Sequence, residues 1–272
     1  MIRVAFQGER GAFSEDAAIK LFGKDIDFLP CAHLRNVFQS VSKDDVSFGI
    51  VPIENSQAGS INEAYDLLLA YPLNVFAEVI LRISHCLMAL PGEKLADIKA
   101  VYSHPQALAQ CEEFLTRLPA EIVPYYDTAG SAKMIKESQR REFAAIASQR
   151  AADIYDLEIL VPRIETNINN YTRFVAISRE KAKPHERSKT SLVFSTKHVS
   201  GALYKILGIF ATRNINLTKL ESRPGKTKPW EYIFYVDFEG HADNEIYREA
   251  IKELHDEATF VKILGSYPQA RQ

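Results

Sequence analysis

The chain has 272 residues, 46% hydrophobic and 25% charged, and its 33 Lys plus Arg against 35 Asp plus Glu leave a net charge of −2. This composition excludes a disordered or fibrous chain, and the length is enough for two domains with substantial cores. So balanced a charge gives no broad cationic field, which argues against a nucleic-acid partner. Cys31, Cys86 and Cys111 are too widely spaced for a disulfide framework or a zinc site and point to a reducing compartment. The opening Met1-Ile2-Arg3-Val4-Ala5-Phe6 reads as a strand, not a targeting segment. No window approaches the ~20 apolar residues of a bilayer span, so a cytoplasmic protein without a membrane partner is expected.

Strands and helices alternate over the first 180 residues. Ile2–Gln7 is a strand, and Ser14–Leu21 is a helix with Ser14 as its cap and Glu15 and Asp16 at the positive end of its dipole. Phe48–Ile53 is a strand, and Ser60-Ile61-Asn62-Glu63 has the pattern of a capping box opening a helix through Leu69. Ile83–Leu90 and Ala100–Tyr102 are strands. Pro105 suits a helix's first position, followed by an apolar face of Leu108, Cys111, Leu115 and Leu118. Ile122–Tyr125 is a strand, Asp127-Thr128 opens a helix, Ala144–Ala147 is a strand before a helix near Ser148, and Arg173–Ile177 is the last strand of the region. Such alternation predicts parallel sheets with covered faces.

The charged segment Arg179–Lys189 reads as a linker. Beyond it come a strand at Ser191–Ser195, a helix carrying Leu203, Ile206, Leu207 and Phe210, and strands at Leu217–Glu221 and Glu231–Phe238 around the turn Arg223-Pro224-Gly225-Lys226. A helix with Tyr247, Ala250, Ile251 and Leu254 and a strand at Phe260–Leu264 complete a ferredoxin-like βαββαβ order. The linker predicts that residues 1–180 act without the C-terminal part.

Four segments put polar residues at strand ends, where α/β proteins bind ligands. In Gln7-Gly8-Glu9-Arg10-Gly11-Ala12-Phe13-Ser14 the two glycines fit either a backbone approach to an anion or a tight turn. Glu54, Asn55 and Ser56 follow an apolar strand, and turn or cap roles compete there with a ligand site. In Ser103-His104-Pro105-Gln106, a capping histidine and a site histidine are equally consistent with the pattern. In Asn167-Ile168-Asn169-Asn170-Tyr171-Thr172-Arg173-Phe174, Arg173 suits a bidentate carboxylate, on a substrate or within the protein.

Taken together, Gly-Glu-Arg-Gly-Ala-Phe-Ser, Val-Pro-Ile-Glu-Asn-Ser-Gln-Ala-Gly, Ser-His-Pro-Gln-Ala-Leu-Ala-Gln-Cys and Asn-Tyr-Thr-Arg-Phe resemble the prephenate dehydratase family. Gly201-Ala202-Leu203 and Glu221-Ser222-Arg223-Pro224 resemble an ACT domain. The resemblance implies an α/β fold: a two-lobed, periplasmic-binding-protein-like catalytic domain over residues 1–180 and a ferredoxin-like ACT domain over 190–272. It implies decarboxylating dehydration of prephenate to phenylpyruvate, with no metal or cofactor, and feedback inhibition by L-phenylalanine in a homodimer or homotetramer. By the same resemblance Thr172 is the essential residue, with Arg173, Glu54 and Asn55 as further catalytic candidates. Ser56, Ser103, His104, Gln106 and Phe174 would contact substrate, and Gly201, Ala202, Leu203, Asn214, Leu217, Glu221 and Ser222 the effector. Two alternatives stay open: an arogenate dehydratase, which the motifs do not separate from a prephenate dehydratase, and a non-catalytic amino-acid sensor.

Overall fold

The computed structural model describes residues 2–225 and 232–270. Lys226 of the expected turn and Glu231 of the expected strand lie outside the described residues. The chain divides into two compact units, Met1–Ala64 with Val79–Phe174 and Tyr65–Glu78 with Val175–Gln272.

The first half of the chain runs β1 (Ile2–Gln7), α1 (Phe13–Phe22), β2 (Ile26–Cys31), α2 (Leu34–Ser42), β3 (Phe48–Asn55), β4 (Gly59–Ser60), α3 (Asn62–Ala70), β5 (Asn74–Arg82) and β6 (Cys86–Ala89). It continues through β7 (Ala100–Ser103), α4 (Pro105–Gln110), α5 (Glu112–Leu115), β8 (Glu121–Pro124), α6 (Thr128–Ser138), β9 (Phe143–Ala147), α7 (Gln149–Tyr155), β10 (Glu158–Val161) and β11 (Tyr171–Ser178). One sheet has the order β2-β1-β3-β11-β5, with β4 against β3; residues 79–82 of β5 and 171–174 of β11 belong to the first unit. The other sheet has the order β10-β6-β9-β7-β8.

Several expectations are corrected. The sheets are mixed: β1 pairs in parallel with β2 and β3, and β7 with β8 and β9, but β6 is antiparallel to both β9 and β10. α1 starts at Phe13 behind Ala12, which has no side chain to cap it, so Ser14 lies inside the helix. Ser60 is drawn into β4 opposite Glu54, and α3 starts only at Asn62. The strand expected at Ile83–Leu90 is interrupted before Cys86, because the Ile83 N–H donates to Asn170 O and the His85 N–H to the Glu165 carboxylate, at 2.8 and 3.0 Å. The helix expected after Pro105 breaks at Cys111 into α4 and α5.

Gly8 and Gly11 serve packing. A Cβ on Gly8 would lie 2.5 Å from Asp127 Oδ2, and one on Gly11 (φ +87°) would lie 2.7 Å from Ala151 Cα. At these two positions the backbone lies directly against neighbouring protein atoms, which leaves no room for a Cβ. The same loop carries a buried charge cluster: Glu15 accepts from Arg10 Nε at 3.1 Å, Gly11 N at 2.6 Å and Arg150 Nη2 at 2.9 Å. Burial raises the Glu15 pKa, but these three donors outweigh it and leave the group below its ordinary value of 4.5. A depressed carboxylate stabilises the fold above that value and stops doing so as pH falls through the folded pKa. Glu15→Gln should therefore cost about 1.5–3 kcal/mol at neutral pH. Thermal melts should show the deficit shrinking as the pH is taken below 4.5; a deficit unchanged down to that acidity contradicts the account.

The C-terminal elements are β12 (Ser188–Ser195), α8 (Ala202–Ala211), β13 (Leu217–Pro224), β14 (Tyr232–Glu239), α9 (Glu245–Glu257) and β15 (Phe260–Pro268). Their sheet has the order β13-β14-β12-β15, the βαββαβ arrangement expected, and α8 and α9 cover one face through Ile206, Phe210, Ala250, Ile251 and Leu254 on Leu192, Phe194, Val236 and Phe238. The charged segment does not end as a linker, since Ser188 and Lys189 are buried in β12. The unit also takes in residues 65–78. There, the Lys262 ammonium donates to the carbonyls of Leu68, Leu69 and Tyr71, each at 2.8 Å, at the C-terminal end of α3. Among the described residues, no helix is long and apolar enough to cross a membrane.

Candidate functional site

A cavity of about 250 Å³ lies within the first unit, and residues following strands of both sheets line it. Gln7, Pro52, Asn55, Thr172 and Phe174 come from β1, β3 and β11; Ala12, Phe13 and Ser14 from the start of α1; His85 from the segment before β6. His104, Gln106 and Gln110 come from the β7–α4 segment, and Tyr126, Asp127 and Thr128 from the start of α6. Neither lysine nor arginine is among the described residues lining it.

A chain of side-chain hydrogen bonds runs along one wall, and its direction follows from its first member. The backbone N–H groups of Gln57 and Ala58 donate to Asn55 Oδ1 at 3.0 and 2.9 Å. The other end of that amide is therefore the NH₂, which donates to Asn170 Oδ1 at 2.7 Å and Thr172 Oγ1 at 2.9 Å. The Asn170 NH₂ in turn donates to Gln110 Oε1 at 3.0 Å, which also meets His85 Nε2 at 2.9 Å. Because Thr172 Oγ1 accepts from Asn55, its own proton is directed elsewhere. Burial of Asn55, Asn170 and Thr172 makes these bonds worth more than they would be in water.

The structure separates the expected site residues into two groups. Thr172, Phe174, Asn55, His104 and Gln106 line the cavity. Arg173, Glu54, Ser56 and Ser103 do not. Side chains alternate along a strand, so Arg173 on β11 faces away from Thr172 and Phe174, and Glu54 on β3 away from Asn55. Arg173 and Glu54 meet each other at 3.8 Å. Ser103 is fully buried and donates to Ile146 O at 2.6 Å. Ser56 donates to Asn169 O and accepts from Tyr171 N, tying the end of β3 to the start of β11. His104 caps α4, its Nδ1 accepting from Gln106 N at 3.2 Å, while also reaching the cavity.

His85, Gln110, Asn170, Asp127 and Ser14 are not among the expected site residues, although Ser14 and Asp127 are expected at helix starts, and all five lie in or beside the cavity. Gln110 and Asn170 lie inside two of the polar motifs, so that signal was present; a lone histidine before an apolar strand offered none. Burial lowers the pKa of His85, opposed by Gln110 and Glu165, which favours the neutral ring. Burial raises the pKa of Asp127 against the opposing Gly130, Ala129 and Glu9 N–H groups. Among the described residues no cluster of three His, Cys, Asp or Glu side chains could hold a metal ion.

In the second unit, Gly201 (φ 80°) stands before α8, which opens at Ala202 and Leu203 without a side-chain cap. Asn214 also has a positive φ, 54°, and Leu217, Glu221 and Ser222 lie on β13. Glu221 is paired with Lys219 at 3.0 Å.

The sequence profile described as "Prephenate dehydratase" matches residues 4–182, and the profile described as "ACT domain" matches 190–256. A relative from Arabidopsis thaliana, "Arogenate dehydratase/prephenate dehydratase 2, chloroplastic", is 44% identical over 98% of this chain and 73% of its own length. The crystal structure of a prephenate dehydratase from Arthrobacter aurescens in complex with L-Phe superposes with a TM-score of 0.90 at 32% identity, covering 98% of this chain and 90% of that one. A structure described as GqqA, a novel type of quorum quenching acylase, superposes with a TM-score of 0.89 at 35% identity, covering 98% of both chains.

Proposed function

Because the chain belongs to the prephenate dehydratase family and carries a C-terminal ACT domain, we propose that it converts prephenate to phenylpyruvate and is inhibited by L-phenylalanine. The carboxylate on the ring leaves as carbon dioxide; the electrons of its C–C bond enter the ring; the ring C–O bond breaks, and the departing hydroxide takes one proton to become water. Aromatisation supplies the driving force, so the demand on the protein is a donor at the departing oxygen. The observation that carries the reading is Thr172 Oγ1, held as an acceptor by Asn55 in the cavity wall so that its proton is available to that oxygen. A lining without lysine or arginine suits a carboxylate that must lose its charge, since a cationic clamp would stabilise the ground state alone. The uncapped start of α1, with Ser14 beside it, suits the side-chain carboxylate instead. Arg173 and Glu54 support the strands that carry Thr172 and Asn55.

The acylase named for one similar structure is less well supported, because no serine–histidine hydrogen bond lines the cavity among the described residues. Effector binding at the start of α8 and on β13 rests on the ACT match and on the L-Phe complex of the Arthrobacter enzyme. β13 is an edge strand with Leu220 exposed, which suits pairing of two ACT units. The three cysteines are free and buried, consistent with the cytoplasm.

Steady-state assays of the full chain with prephenate and with arogenate test the reading. The expected result is phenylpyruvate from prephenate, a higher kcat/KM for prephenate than for arogenate, and inhibition by added L-phenylalanine. Turnover of arogenate alone would transfer the assignment to the aminated substrate, and turnover of neither would remove it.

A further inference from the structure

We infer that His85 is the positioning residue of this cavity: its Nε2–H holds the side-chain oxygen of Gln110 and so turns the Gln110 NH₂ toward bound substrate. The inference rests on the dehydratase reading and adds to it a residue outside the recognised motifs. The geometry determines both the tautomer and the direction. Gln110 Oε1 is already an acceptor from Asn170, at 3.0 Å, so His85 Nε2, 2.9 Å from the same oxygen, must be the donor. The proton is then on Nε2, and Nδ1 carries only a lone pair. That nitrogen is buried and makes no hydrogen bond among the described residues, as befits a ring kept neutral in this tautomer.

The ring itself has little freedom. His85 is 2% exposed; its N–H donates to Glu165 at 3.0 Å, its carbonyl accepts from Ile164 at 2.9 Å, and Phe13 packs edge-on at 5.5 Å. Those anchors fix the donor before substrate arrives. Gln110, in contrast, lies at the end of a short helix and is only partly buried. An amide with several rotamers gains most from a rigid partner that holds its oxygen. Two neutral donors, His85 and Asn170, converge on that oxygen and leave the NH₂ as the end that can address a substrate oxygen.

The test compares His85→Asn, His85→Gln and His85→Phe in the full chain, each also in a Gln110→Ala background. A glutamine amide reaches about as far as Nε2 and an asparagine amide stops short. His85→Gln should therefore stay within about threefold of wild-type kcat/KM, while His85→Asn and His85→Phe fall by about tenfold or more. In the Gln110→Ala background the His85 changes should produce no further loss, because they act through an amide that is gone. An equal loss in both backgrounds, or no loss in His85→Asn, would overturn the inference. A readout independent of turnover separates this from the dehydratase assignment. Nitrogen-15 shifts of labelled full chain should show His85 protonated at Nε2 and bare at Nδ1; protonation at Nδ1 in the neutral ring would sink the inference even in a fully active enzyme.

Discussion

Thr172→Val should fold like the wild type and lose about 100–1,000-fold in kcat, the loss of about 2.7–4 kcal/mol typical of one preorganised donor to developing charge. Valine keeps the shape of threonine and replaces the hydroxyl by a methyl group. The Asn55 NH₂ keeps acceptors in Asn170 Oδ1 at 2.7 Å and Tyr171 O at 3.2 Å, so the wall stays satisfied and the stability cost is small. Thr172→Ser restores a hydroxyl at the same place and should recover most of the activity. Steady-state phenylpyruvate formation and a thermal melt of each variant check both halves. A valine variant within a few-fold of wild-type kcat would show that another group serves the leaving oxygen.

Lys189→Met should destabilise the second unit by about 3–5 kcal/mol, because it removes one member of a buried, hydrogen-bonded ion pair. Glu78 is 4% exposed and Lys189 8%. The ammonium donates to both Glu78 oxygens, at 2.9 and 3.1 Å, and the Ala270 N–H adds a third donor at 2.9 Å. Adding Glu78→Gln neutralises the buried carboxylate and keeps an acceptor for Ala270, so the double variant should recover part of the loss. Denaturant unfolding of the full chain measures both; a Lys189→Met protein with wild-type stability would contradict the account. The same pair bears on truncation. A chain ending at residue 180 lacks Lys189, Lys262 and Ala270, which satisfy Glu78 and the end of α3. A fragment of residues 1–180 should therefore melt lower than the full chain and aggregate more readily.

The interior strands are the plainest in the sequence pattern, although the edge strands β8, β13 and β15 are legible in it as well. β1, β3, β7, β9, β11, β12 and β14 lie inside their sheets and carry apolar runs that are hard to misread. The strands that went unread, β2, β5 and β10, are sheet edges, and β4 is a two-residue pairing onto β3. β2 contains Pro30, which a ladder tolerates only at an edge. α2 had a legible face in Leu34, Val37, Phe38 and Val41, all buried. In the site, the motifs point to Thr172 and Asn55, and both line the cavity. The period of two along β11 already turns Arg173 away from Thr172, which weighs against a shared substrate role. His85 could not be found this way, because its meaning lies in one bond to a side chain 25 positions along the chain.

Equilibrium binding of prephenate to the Thr172→Val chain bears most directly on whether this cavity is where the reaction occurs and on what the hydroxyl does there. Calorimetry on a variant that does not consume its ligand should give one site per chain and a Kd near the wild-type KM, with no phenylpyruvate formed during the titration. That pattern is predicted because the threonine acts on the departing oxygen and binds the ground state little. Loss of binding along with turnover would make Thr172 a ground-state contact, and phenylpyruvate formed at the wild-type rate would remove it from the reaction; either result would contradict the account.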